Sequence, residues 1–329
     1  MKEILAHLYQ HKTLSKDEAQ NILIDIATGK HNNYQIASFL TAFIMRDITL
    51  DELIGFRQAL LELCIKIDLS DYNPMDLCGT GGDGKNTFNI STLSSFVVAG
   101  AGIPVAKHGN YGVSSISGSS NVLEQLGIQF QKDEKKLKEQ LEKTNICFLH
   151  APLFHPAMNI VGPIRKEMGV KTFFNMLGPL VNPAQPKIQF TGVFSLELAR
   201  IYLYLFQDEN LQYTIAHSLD GFDEVSLTGD CKIYNNWGEK IISADYFGFK
   251  PLKLQAIHGG DTLDEAAQIF VKVLEGKGSI EQNEVVLANA SLAIQTYKNI
   301  EVIEAMEIAK DSLLGLKALQ SFTKLKSLS

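Results

Sequence analysis

Cysteine is scarce and scattered in this 329-residue chain: Cys64, Cys78, Cys147 and Cys231 lie far apart and form no C-x-x-C pair. Such spacing argues against a disulfide framework or a structural zinc site and points to free thiols in a reducing cytosol. Long apolar runs are missing too. The longest, around Phe96 to Ala106, contains glycine and proline, and is much shorter than the roughly 20 residues a membrane-spanning helix needs. The opening MKEILAHLYQHKTLSKDEA is amphipathic without an unbroken apolar core, so neither a signal peptide nor a membrane anchor is expected there. A cytoplasmic protein with no membrane partner follows. Positive charge is also short. Against 37 Asp and Glu there are 30 Lys and Arg, a formal net charge of -7, which argues against a general nucleic-acid binder.

What the chain does have is the composition of a folded protein, 45% hydrophobic and 20% charged, with length for one large domain and a smaller one. Its first part reads as helices only. Ser15 and Glu18 have capping-box spacing ahead of Ala19, Ile22, Leu23 and Ile26, and Thr49 and Glu52 repeat it ahead of Leu53, Phe56 and Leu60. Between them Tyr34 to Met45 predicts a third apolar helix.

From Met75 short β-prone runs alternate with helical ones. The runs are 75–78, 104–107, 146–149, 188–194 and 213–217; the helices include 92–101, 121–126 and 134–143. This alternation predicts βα units and a mostly parallel sheet. Residues 223–243 read as an antiparallel excursion, turning near Gly229 and Asn235–Asn236. From Thr262 to about Leu325 the pattern is helical again, with Gly276, Gly278 and Gly315 as breaks. The segment 156–182 is helical, broken by Pro163 and Pro179, and interrupts the alternation. It could rejoin the N-terminal helices, giving a helical domain of 1–70 plus about 156–182 and an α/β domain of 71–329, with the connections as hinges around a cleft.

The strongest local signal is Asp76-Leu77-Cys78-Gly79-Thr80-Gly81-Gly82-Asp83-Gly84, a strand opening into four glycines within six positions. Glycines let successive amides turn inward and cradle phosphate near a helix N-terminus. The loop fits neither G-x-x-x-x-G-K-[ST] nor G-x-G-x-x-G; the plainer alternative is a turn that reverses the chain. Asn89-Ile90-Ser91-Thr92 follows, with Ser91 and Thr92 placed to cap the next helix or to add donors to the same phosphate pocket. Ser91 can also face magnesium. Lys107-His108-Gly109-Asn110 ends a strand, where α/β sheets bind ligands. The run Ser114-Ser115-Ile116-Ser117-Gly118-Ser119-Ser120 then supplies more hydroxyls. Asp223-Glu224 suits a hard divalent cation or, more plainly, a solvated acidic turn. Arg165 is either a surface helix cation or the planar partner of a substrate carboxylate. His108 and His155 are acid–base candidates or hydrogen-bonding walls. Phe148, Phe154, Phe173 and Phe174 read as core.

Taken in order, Gly79–Asp83, Asn89–Thr92, Lys107–Asn110, Arg165 within Pro163–Gly169, the run Asn175–Pro183 and Asp223–Glu224 resemble the anthranilate phosphoribosyltransferase family over nearly the whole chain. The resemblance implies a small helical domain hinged to an α/β domain of the nucleoside phosphorylase and phosphoribosyltransferase type, assembled as a homodimer through the helical domains. It implies an enzyme of tryptophan synthesis using magnesium, two ions per subunit, with phosphoribosyl pyrophosphate and anthranilate as substrates. By the same resemblance Gly79, Gly82, Asp83, Thr87, Asn89, Ile90, Ser91, Thr92, Lys107 and Ser119 would hold the phosphoribosyl pyrophosphate. The loop from Lys107 through Gly109, Tyr111, Gly112, Val113 and Ser114 to Ser115 would close on it. Ser91 and Glu224 would share one magnesium, and Asp223 with Glu224 the second. Asn110, Arg165 and Gly178 would position anthranilate, and Lys107, His108 and Arg165 are the catalytic candidates. The chain departs from the family pattern at Tyr111, where arginine is more usual, and at Ile116, Asn121 and His150.

Two rivals share the fold by resemblance. A pyrimidine nucleoside phosphorylase usually has a different glycine loop and lacks the Asp-Glu pair as a hallmark. A non-catalytic relative that binds nucleic acid should have lost that pair and gained basic surface, whereas this chain keeps the pair and is acidic.

Overall fold

The computed structural model describes residues 1–112 and 117–329. Four helices open the chain: α1 (Lys2–Leu8), α2 (Lys16–Ala27), α3 (Asn33–Ala42) and α4 (Leu50–Leu63). Their starts are set by side chains. Ser15 with Glu18 and Thr49 with Glu52 make the expected reciprocal caps at α2 and α4. Asn32 with Gln35 makes a third at α3, which the apolar pattern alone did not reveal. Helix α3 stops at Ala42, short of the expected Met45. There Phe43 N–H bonds back to Leu40 and Ile44 N–H to Thr41, three residues away rather than four, and Ile44 and Met45 turn outward.

Next come β1 (Met75–Leu77), α5 (Ile90–Gly100), β2 (Val105–Gly109), α6 (Ser119–Gln125), α7 (Glu134–Thr144), β3 (Ile146–His150), α8 (Ala151–Phe154) and α9 (Met158–Met168). The remainder is β4 (Ile188–Gly192), α10 (Leu196–Asp208), β5 (Gln212–Ser218), β6 (Cys231–Asn235), β7 (Gly238–Ile242), α11 (Leu263–Leu274), α12 (Ile280–Lys298), α13 (Val302–Leu314) and α14 (Lys317–Leu328). No described helix is long and apolar enough to cross a membrane.

The chain divides into two compact units, Met1–Ile67 with Ala151–Pro183 and Asp68–His150 with Ala184–Ser329. In the first, α9 packs on α2 and α3, and Phe173 stacks on Phe56 at 4.3 Å with Phe39 and Phe43 edge-on beside it. Aromatic pairs of this kind add to what their burial alone contributes. Phe148, Phe154, Phe173 and Phe174 are all buried, as expected for core.

The second unit carries a seven-stranded sheet in the order β3-β2-β1-β4-β5-β6-β7. The first five strands are parallel and the last two antiparallel, which is the α/β, mostly parallel arrangement the alternation predicts. Helix α5 is buried on nearly all sides, and Phe96 meets Phe148, Phe270 and Phe322. The antiparallel excursion is shorter than 223–243: residues 223–230 form a loop and the hairpin begins at Cys231. The tail breaks once more than its glycines suggest, at Asn299, which ends α12 in the left-handed conformation. Asparagine tolerates that conformation better than most residues.

Strand β1 has β2 on one side and β4 on the other, so the chain changes direction across the sheet here. In open α/β sheets the crevice beyond the carboxyl ends of such strands is where ligands bind. The glycine loop begins at the carboxyl end of β1.

Candidate active site

Beyond Leu77 the chain follows β4 a little further, with Cys78 N–H bonded to the Phe190 carbonyl at 3.1 Å and Thr80 N–H to that of Gly192 at 3.0 Å. It then turns through Gly81 and Gly82, both left-handed with φ of 64° and 76°, a conformation glycine adopts without a side-chain clash. The turn is built around one carboxylate. Gly81 N–H donates to Asp223 Oδ2 at 2.6 Å, and a Cβ on Gly79 would stand 2.5 Å from that same oxygen. A Cβ on Gly192 would collide with the Asp223 carbonyl oxygen. Two strand ends are therefore shaped to let the Asp223 segment in.

Asp223 is buried and Glu224 partly so. Burial pushes the Asp223 carboxyl up to about 7, the charge of Asp83 adds to the rise, and the Gly81 N–H opposes it. Burial also raises Glu224 well above the usual carboxylate range, reinforced by Asp223 and opposed by a hydrogen bond from Ser91 N–H to Oε1 at 2.9 Å. Acidic groups held together with so little compensation suit a hard cation that also takes substrate phosphates as ligands. Among the described residues no three His, Cys, Asp or Glu side chains are grouped to cage a metal alone.

The Ser91 bond corrects one expectation. Helix α5 starts at Ile90, its cap residue is Asn89, and the Asn89 side chain makes no capping bond. Ser91 and Thr92 lie inside the first turn, and the Ser91 N–H finds its acceptor in the carboxylate of Glu224, from the loop after β5. An anion at a helix N-terminus is favourable on both hydrogen-bonding and dipole grounds. Asn89 donates instead from Nδ2 to the Ser117 carbonyl at 3.1 Å. Thr87 forms an isolated antiparallel bridge with His258.

On the neighbouring strand Lys107 is buried and its ammonium donates to the Leu77 carbonyl, at the mouth of the glycine loop. His108 is buried beside it, its N–H bonded to Asp76 Oδ1 at 3.1 Å. The Asn110 carbonyl accepts from Ser120 N–H at 3.2 Å and from Ser119 Oγ at 3.3 Å, and a Cβ on Gly109 would stand 2.6 Å from that hydroxyl. Tyr111 and Gly112 follow. Val113, Ser114, Ser115 and Ile116 lie outside the described residues.

Arg165 and Gly178 belong to the other unit. Arg165, on α9, donates from Nη2 to Asn175 Oδ1 at 3.1 Å and lies 5.1 Å from the centre of the Phe174 ring, while its buried Nε has no hydrogen-bond partner among the described residues. Burial lowers its guanidinium to about 10. Gly178 opens a short 3₁₀ turn. His155 is buried, within 2.9 Å of the Val181 carbonyl, and burial lowers it to about 4.

Residues 2–64 match the glycosyl transferase family helical bundle domain, and residues 71–316 the glycosyl transferase family a/b domain. The anthranilate phosphoribosyltransferase of Flavobacterium psychrophilum is 60% identical over 329 residues, the full length of both chains. That of Christiangramia forsetii is 59% identical over all of this chain and 99% of its own. The chain belongs to the anthranilate phosphoribosyltransferase family. Its fold matches the family's enzyme from Thermus thermophilus with a TM-score of 0.91, at 29% identity over 98% of each chain. The Saccharomyces cerevisiae member, solved in complex with PRPP and Mg, superposes with a TM-score of 0.90 at 26% identity, over 98% of this chain and 96% of that one.

Several residues that shape this candidate site are not singled out by the sequence. Asp76 anchors the His108 backbone from within β1. Asn289 on α12 holds Val225 from both sides, accepting its N–H at 3.0 Å and donating to its carbonyl at 2.9 Å, and so fixes the segment after Glu224. A lone asparagine inside the apolar run 285–294 was the available signal, since a buried amide needs partners. Asn121, noted only as a departure from the family pattern, accepts from both Gly112 N–H at 2.8 Å and Gly118 N–H at 3.0 Å. Gly192 had no signal in sequence, because only the approach of Asp223 makes a side chain there impossible.

Proposed function

We propose that this chain transfers the phosphoribosyl group of phosphoribosyl pyrophosphate to the amine of anthranilate, giving N-(5-phosphoribosyl)anthranilate and pyrophosphate, a step of tryptophan synthesis from chorismate. The observation that carries this reading is the buried Asp223–Glu224 pair set between the glycine loop and the N-terminus of α5, in a chain aligned end to end with transferases of that name. A pyrimidine nucleoside phosphorylase is disfavoured by the same full-length identity.

In this reading the amine attacks the anomeric carbon, the bond to pyrophosphate breaks, and the amine proton leaves to solvent. Positive charge grows on the ribose and negative charge on the leaving group, so stabilising pyrophosphate is the main task. Ser91, Asp223 and Glu224 would hold magnesium, two ions per subunit. Bound magnesium supplies neutralising charge to the pyrophosphate. The loop amides of Gly79 to Asp83, with Thr87, Asn89 to Thr92, Lys107 and Ser119, would grip the phosphates. Arg165, with a buried Nε that has no partner among the described residues, would take the anthranilate carboxylate in its planar fork; Asn110 and Gly178 would also contact anthranilate, and His108 is a further catalytic candidate. The helical domain, 1–70 with about 156–182, would supply the anthranilate side and the contact of a homodimer. The protein would work in the cytoplasm.

The test is loss of anthranilate fluorescence on adding phosphoribosyl pyrophosphate. Loss that requires magnesium and stops with EDTA is expected, and Arg165→Ala should raise the anthranilate KM at least tenfold with a smaller effect on the phosphoribosyl pyrophosphate KM. Folded protein that leaves the fluorescence unchanged, while releasing base from uridine or thymidine with phosphate, would overturn the assignment in favour of the phosphorylase.

A further inference from the structure

We propose that Tyr111, Glu124 and His150 form a positioning cluster that presents the side-chain amide of Asn110 to the acceptor substrate. The inference rests on the reading above that Asn110 contacts anthranilate. Three elements contribute. Tyr111 follows β2, Glu124 lies on α6 and His150 ends β3. The Tyr111 hydroxyl donates to Glu124 Oε1 at 2.9 Å. Its ring meets His150 edge-on, centres 4.8 Å apart and planes at 81°. His150 in turn lies flat on Phe130, 4.5 Å away with planes at 17°, and its Nδ1 is 2.8 Å from Ser120 Oγ.

The cluster closes on Asn110 from two directions. Ser120, whose hydroxyl meets His150, donates its N–H to the Asn110 carbonyl. Tyr111 donates its own N–H to Asn110 Oδ1 at 2.8 Å. An asparagine amide has an acceptor oxygen with two lone pairs and an NH₂ donor end, and the Tyr111 N–H takes one lone pair and turns the oxygen toward the backbone. The end turned away is the NH₂, a donor, which suits the carboxylate of anthranilate. Asn110 is exposed, and an exposed asparagine with a free torsion would lose that freedom on binding. Holding it beforehand reduces the cost of association. Tyr111 can hold it because its ring is fixed at both the edge and the hydroxyl.

Steady-state kinetics of Tyr111→Phe, Glu124→Ala and the double variant, beside the wild-type enzyme, test this. Each single change removes one end of the same hydrogen bond and keeps the fold, since Phe retains the ring packing and Glu124 is exposed. The anthranilate KM should rise about threefold to tenfold, the loss expected for one ordinary hydrogen bond. For Glu124→Ala, outside the loop expected to close on phosphoribosyl pyrophosphate, the kcat at saturating anthranilate and the KM for phosphoribosyl pyrophosphate should stay within about twofold. The double variant should be no worse than either single one, because the two residues act through one bond. Glu124→Gln, which keeps an acceptor oxygen, should fall between wild type and Glu124→Ala. An unchanged anthranilate KM, a rise in the phosphoribosyl pyrophosphate KM alone, or additive losses would overturn the proposal. Wild-type protein inactive in the same assay would instead remove the functional reading beneath it.

Discussion

His155 and Arg165 lie in the same helical unit, and burial acts on both in the same direction with opposite consequences. Desolvation disfavours the charged form of each. For His155, lowered to about 4, this leaves a neutral ring at neutral pH, bonded to the Val181 carbonyl. For Arg165, lowered only to about 10, the charge survives and keeps an unmatched donor. The neutral, bonded histidine has its hydrogen bond within the unit, whereas the charged arginine keeps a donor for the carboxylate proposed above. Sequence alone offered both as candidates, since nothing in their neighbours states how deeply each is buried. The histidine has a measurable consequence. Its folded value lies below the unfolded one, so its contribution to stability is present above about pH 6.5 and is lost as pH falls toward 4. The shift corresponds to roughly 3 kcal/mol. In His155→Gln, whose side-chain amide can still donate to the Val181 carbonyl and does not titrate, the fall in unfolding free energy between pH 7 and pH 4.5 should be smaller than in wild type by about 2 kcal/mol. Parallel urea titrations at the two pH values decide it; equal falls in both proteins would show that His155 is not buried as described.

At the scale of elements, two helices with the same written start differ in what the start does. Glu18 and Glu52 occupy the same position in capping boxes of the same spacing. Glu18 is exposed and serves Ser15 alone. Glu52 is fully buried and accepts from Thr49 N–H, from Leu14 N–H at 2.8 Å, and from both Nη atoms of Arg46. It therefore ties the start of α4 to the α1–α2 connection and to the end of α3. Burial alone would raise its carboxyl, but the Arg46, Thr49 and Leu14 bonds together hold it below the usual range. Glu52→Ala leaves two backbone donors and a guanidinium without their partner and should cost about 3–5 kcal/mol, whereas Glu18→Ala should cost no more than about 1 kcal/mol. Chemical denaturation of the two variants under identical conditions would expose the error if their losses were alike. The same contrast marks what was legible. Periodicity and caps gave the helices and parallel strands nearly in place, because those signals lie within a few residues of one another. The cap of α5 did not, because its acceptor is Glu224, 133 residues away.

For the whole molecule, the order of motifs along the chain was enough to identify the family, and the division into a helical unit and an α/β unit follows from where strands begin. What the sequence left open is what the surface does. Tyr34 and Met45 are 87% and 76% exposed, and with Leu8, Tyr9, Thr41 and Ala42 they line a groove of about 540 Å³ on the helical unit. Single exposed apolar residues are ordinary, but a group of them beside His11, Ser38 and Arg46 around one groove is where the homodimer contact proposed above would lie. A homodimer through this face would be isologous, each copy offering the same patch to the other. It would cover both aromatic side chains without involving Asp223, Glu224 or the glycine loop, none of which line the groove. Light scattering on the eluting protein should therefore give twice the 36.4 kDa of one chain. Tyr34→Asp combined with Met45→Asp places charge at the centre of the face, where each copy would meet its own like charge. That variant should elute as a monomer with an unchanged circular dichroism spectrum, since neither side chain belongs to the core. A wild-type protein that is monomeric at tens of micromolar, or a variant that stays dimeric, would move the interface elsewhere.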